Sequence, residues 1–160
     1  MVNRLGVAGA MVDYKFVSEC GFHYFKYLQP LILSDIIVLY NRLIDAQDDT
    51  SDLSLPMFAD LRSVSMINIT AQELKTHARA LARYAPQLAN NTVVYLVANS
   101  SDFGMMRMFS AYSEIEGYRT EDHVLITEVA EQAIEWIEKA CGCGARGCDA
   151  LNVTEFALVY

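Results

Sequence analysis

Thr92-Val-Val-Tyr-Leu-Val-Ala98 is seven residues without a charge, apolar at odd and even positions alike. It is too short for a buried helix and rich in β-branched and aromatic side chains. A strand of that kind lies inside a sheet, with helices over both faces. Reading forward from it, Ser101-Asp102 opens a helix with Met105, Met108, Phe109, Tyr112 and Ile115 expected on its inner side, and Gly117 closes it. Val124-Leu-Ile126 is the next strand. Thr127 is expected to cap a last helix, with Glu128 and Glu131 in its favourable first turn and Ala133, Trp136 and Ile137 facing inward.

Reading backward, Thr70-Ala-Gln-Glu73 is a capping box. Its helix buries Leu74, Ala78, Leu81 and Ala85, shows Lys75, Arg79 and Arg83 to water, and stops at Pro86. Leu55 to Asp60 is a short apolar strand. Ser34-Asp35 opens a helix with Ile36, Leu39, Tyr40 and Leu43 at helical spacing. Before it, Val12, Tyr14 and Phe16 alternate with Asp13 and Lys15, and Phe22 to Leu28 is aromatic-rich, so residues 11–28 read as a hairpin. The order β-β-α-β-α-β-α-β-α gives an α/β domain with a mixed, mostly parallel sheet, an N-terminal antiparallel hairpin and covering helices. Residues 1–10 are expected to be a flexible extension, 11–140 the domain, and 141–160 a Cys/Gly-rich tail with room for one more strand.

A chain of 160 residues, 53% hydrophobic and 20% charged, can bury a core of ordinary size. The net charge of −8 opposes nucleic acid and anionic membrane surfaces, which select basic faces. The most apolar stretch, Phe22 to Tyr40, is broken by Lys26, Pro30 and Asp35 and does not read as a membrane span. Four cysteines, three of them near one end, do not form the framework of a small secreted domain, and a cytoplasmic location is expected.

Three segments, in order, resemble the anti-sigma-factor-antagonist-like (STAS-like) bacterial proteins over about residues 11–139. Leu55-Pro-Met-Phe-Ala-Asp-Leu-Arg62 is similar to the family strand ending in Asp-Leu-Arg. Asp102-Phe-Gly-Met-Met-Arg-Met-Phe109 and Glu131-Gln-Ala-Ile-Glu-Trp-Ile137 are similar to two helices of an uncharacterised branch. The resemblance implies a non-enzymatic module that docks proteins or small apolar ligands. Its phosphorylated Asp-Ser-Ser-Gly is replaced here by Asn68-Ile-Thr-Ala71, where Thr70 alone keeps a hydroxyl.

The candidate sites each carry two readings. Thr70 is a helix cap or a phosphoacceptor at a helix N-terminus. Asp60 and Arg62 end one strand, and Asn99, Ser100 and Ser101 follow its neighbour; together they are a candidate crest for ligand or partner, or else local turn formers with Arg62 solvated. Met105, Met106 and Met108 fill core or line an adaptable surface, with at least one expected outside. Cys141, Cys143 and Cys148 are a candidate zinc site or free thiols of a glycine-rich tail, and Cys20 at the hairpin turn is incidental. His77 flanks the apolar face of its helix and reads as a boundary histidine. No phosphate loop, nucleophile elbow or metalloprotease helix is present, and no cofactor is implied. The expected function is a non-enzymatic interaction module binding a protein partner or itself as a homodimer. The alternatives are a carrier of a small apolar ligand in a sheet–helix cavity and, more weakly, a metal or redox role for the tail cysteines.

Overall fold

The alternating and helical apolar periods of the chain sort it into a layered sandwich. The computed structural model describes residues 3–7 and 10–142. Its strands are β1 (Asn3–Val7), β2 (Ala10–Val17), β3 (Phe22–Tyr27), β4 (Met57–Asp60), β5 (Val93–Leu96) and β6 (Val124–Thr127). Its helices are α1 (Leu33–Asp45), α2 (Ala71–Leu81), the short α3 (Ala85–Leu88), α4 (Ser100–Ile115) and α5 (Ala130–Cys141). All six strands join one sheet in sequence order. The β1–β2 and β2–β3 pairs are antiparallel and the remaining three are parallel, which is the mixed α/β architecture expected. Asn3 to Val7, expected within a loose extension, instead pairs along β2 from Asn3↔Tyr14 to Val7↔Ala10.

Each parallel connection steps to the next strand in the same direction, so connections of one hand lay α1, α2 and α4 on one face. There they cover Val12, Tyr14, Phe25, Tyr27, Met57 and Tyr95. Alternate residues of the same strands point the other way. Val17, Phe22, Tyr24, Phe58, Val94 and Leu96 form a second cluster under Ala133 and Ile137 of α5. All four residues of β4 and of β5 are buried, as the reading of Thr92–Ala98 requires.

Two helix ends differ from expectation. Pro86 does not stop α2 but starts α3, where a missing N–H costs nothing; that turn ends at Ala89 with φ +42°. Thr127 does not cap α5, whose N-cap is Val129. Its hydroxyl accepts from the Val129 amide at 3.0 Å and donates to Gln132 Oε1 at 2.7 Å, closing the turn before the helix. Among the described residues, no helix is long and apolar enough to cross a membrane.

Candidate functional site

Asp60 and Arg62 stand at the end of β4 and Asn99, Ser100 and Ser101 at the start of α4, and the polar groups of Asp60, Arg62 and Asn99 are bonded locally. Asp60, last in β4 and 1% exposed, accepts from the Arg62 amide at 3.1 Å, from Arg62 Nε at 3.0 Å and from a terminal Arg62 nitrogen at 2.8 Å. The Tyr24 hydroxyl adds a fourth donor at 3.2 Å. Arg62 is therefore a half-buried, bidentate partner and not the solvated side chain expected. Asn99 caps α4, its Oδ1 accepting from the Asp102 amide at 2.9 Å. Ser100 and Ser101 stand exposed in the first turn. Asp102, which the sequence reading used only to start a helix, is buried and accepts from the Met66 amide at 3.1 Å and from Asn99 Nδ2 at 3.3 Å. It thereby ties the loop after β4 to α4.

Thr70 is exposed and both halves of its capping box form. Its hydroxyl accepts from the Glu73 amide at 3.1 Å, and Glu73 Oε2 accepts from the Thr70 amide at 2.7 Å. Those bonds hold the Glu73 carboxyl below its ordinary range. Cys141 closes α5, while Cys143 and Cys148 lie outside the described residues. No group of three His, Cys, Asp or Glu that could hold a metal occurs among the described residues. Cys20 is disulfide-bonded, which corrects its reading as incidental.

A pocket lies between the sheet and the helix layer on one of its faces. Tyr27 of β3 and Tyr95 of β5 line it from the sheet, Tyr40 of α1, His77 of α2 and Phe109 of α4 from the helices. Its cavity volume is about 50 Å³. Leu31, Leu33 and His77 also line an adjoining open groove of about 520 Å³ between the start of α1 and α2. Leu31 and Leu33 follow β3, and Leu61 and Met66 follow β4. This end of the pocket therefore lies at the carboxyl ends of the strands, where open α/β sheets bind ligands.

His77 is not a boundary residue. It is 7% exposed, its ring 5.6 Å from that of Phe109. Burial, helped by the nearby Arg119 charge, lowers its pKa to about 4, so it is neutral at pH 7. Met106 is buried in the pocket wall, and Met105 and Met108 are half-buried against the same core. None of the three is exposed; the exposed large apolar residue of α4 is Ile115, at 77%.

Arg119 was invisible in the sequence. It sits in the segment between α4 and β6, is 2% exposed and lines the pocket. Its Nε donates to Asn91 Oδ1 at 3.1 Å and a terminal nitrogen to the Tyr95 hydroxyl at 2.8 Å, while the other meets Met57 Sδ at 3.8 Å. Nothing in Gly117-Tyr118-Arg119 marks it, because its burial depends on side chains from three distant strands or loops.

No family model matches this chain, and no curated protein and no solved structure matches it either.

Proposed function

We propose that this chain is a non-enzymatic, STAS-like module that binds a small, largely apolar molecule between its sheet and its helices. The carrying observation is the pocket itself: an apolar lining interrupted by a few convergent polar groups, opening toward the carboxyl ends of the strands. Elsewhere the polar groups that could do chemistry are tied up structurally. Asp60 serves Arg62 and Tyr24, and Asp102 serves Met66 and Asn99. His23 bonds the Tyr14 hydroxyl at 2.9 Å and the Asp52 carbonyl at 2.7 Å. The element order and the Asp60-Leu-Arg62 strand end support the STAS-like reading.

A flat, methionine-lined surface would have favoured protein docking, but Met106 is buried in the core and Met105 and Met108 are half-buried against it. Docking keeps as supporting features Ile67, in the loop between β4 and Thr70, and Ile115 of α4, each 77% exposed. The ligand reading is tested by thermal denaturation against increasing dodecanol, a neutral probe. The melting temperature is expected to rise with concentration, as for any molecule that binds the folded state alone. A flat response up to the solubility limit overturns the reading.

A further inference from the structure

We infer that the ligand of this pocket carries a carboxylate, held by Arg119, at the head of an apolar chain. The inference rests on the pocket reading above and sharpens it to a chemical class.

Arg119 is a buried cation with no counter-ion among the described residues. Among the described residues the ion pairs join Arg62 to Asp60, Arg79 to Glu116 and Lys139 to Glu135, and none includes Arg119. Arginine cannot escape the cost of burial by losing its proton, as a lysine or histidine would. An unpaired buried charge is among the most costly features a fold can carry. What surrounds Arg119 softens the cost without cancelling it. Its N–H groups meet Asn91 Oδ1, the Tyr95 hydroxyl and, weakly, the Met57 sulfur; Tyr40 adds a further side-chain hydrogen bond, and the Tyr118 ring centroid lies 5.6 Å from the guanidinium carbon. Burial holds the Tyr95 and Tyr27 phenols well above their ordinary range, so neither becomes an anion to balance the guanidinium. The Nδ2 of Asn91, beside it, is also buried without a partner.

The arrangement selects charge and shape together. Among the described residues, Arg119 is the one formally charged side chain lining the cavity, since His77 is neutral at pH 7. The planar guanidinium fork matches a carboxylate, which can accept two parallel N–H bonds. The cavity of about 50 Å³ is small. One water takes roughly 10–15 Å³, so it suits a carboxylate and its first carbons, and nothing larger. An apolar chain then has one described way to continue, past Leu31, Leu33 and His77 into the groove of about 520 Å³ lined by Ile37, Ile69 and Ala80. The net charge of −8 makes casual attraction of an anion elsewhere on the surface unfavourable, which sharpens the test.

Calorimetric titration with dodecanoate and with dodecanol, both below their aggregation concentrations, separates the claims. Dodecanoate is expected to bind at least about tenfold tighter than dodecanol, the scale of one charge-assisted bidentate contact. Arg119→Gln is expected to erase that preference. Equal affinities in the wild-type protein overturn the carboxylate inference and leave the apolar pocket standing. Absence of binding by both molecules overturns the pocket as well. The wild-type comparison decides without the variant if removal of the buried cation unsettles the fold.

Discussion

His77 lets the packing of the pocket be read as a pH profile. The ordinary histidine pKa of 6.5 falls to about 4 in the fold, with burial the larger cause and the Arg119 charge the smaller. Between those values the unfolded chain holds a proton that the folded chain refuses. Stability is therefore undiminished above pH 6.5 and is lost progressively as pH falls toward 4. His23, also lowered, acts in the same direction. His77→Gln is expected to flatten the loss of urea resistance between pH 6.5 and 4 by about half or more relative to wild type, since two histidines share the window. Parallel profiles for the two proteins would show that His77 is not desolvated. At this scale the sequence revealed what is local. Thr70 and Glu73 are three residues apart, and the capping box they form follows from that spacing alone. His77 and Arg119 were missed because their environment comes from other elements: Phe109 for one, Asn91, Tyr95 and Met57 for the other.

Among the elements, α4 shows where hydrophobic periodicity misleads. Of the apolar side read as Met105, Met108, Phe109, Tyr112 and Ile115, all but Ile115 pack against the core, but the fully buried positions are Asp102, Met106, Phe109 and Ser113. Two of those four positions are polar, so a count of apolar residues shifts the stripe around the helix. Both polar groups are satisfied inside. Asp102 accepts from the Met66 amide, and the Ser113 hydroxyl bonds the Phe109 carbonyl at 3.0 Å and the Tyr118 hydroxyl at 3.1 Å. The elements with a pure pattern were read correctly: β5 is buried on both faces, and α1 buries Leu39, Tyr40 and Leu43. The two faces of α4 make opposite predictions for mutation. Met106→Ala is expected to cost about 2–5 kcal/mol, the range for emptying a core site of that size. Ile115→Lys is expected to stay within about 0.5 kcal/mol of wild type, as a surface substitution does. Urea midpoints measured on both variants check this, and the reverse order of costs would restore the face read from the sequence.

For the whole molecule, the two sides of the sheet are covered unequally. Among the described residues, α1 to α4 contribute to the core on one face, while α5 is the one helix packed on the face carrying Phe22, Phe58, Val94 and Leu96. The alternation of strands and helices, and with it the mixed, mostly parallel sheet, was legible in the hydrophobic periods. The edge strand β1 was not, since Asn3-Arg-Leu-Gly-Val7 has neither clean alternation nor a β-rich composition and is specified by its pairing with β2. The dependence on α5 fixes where the chain can be shortened. Ending it after Gly142 keeps all the described strands and helices, and that truncation is expected to unfold in one cooperative transition with its aromatic circular dichroism intact. Ending it at Glu128 removes Ala133 and Ile137, each 0% exposed, and leaves Phe22 and Phe58 facing water. An uncovered apolar face of that extent favours association, so this shorter chain is expected to elute as aggregates and to bind apolar dyes. Matching behaviour of the two truncations would mean that α5 does not seal the second core. Failure of the longer one alone would place part of the structural burden beyond residue 142.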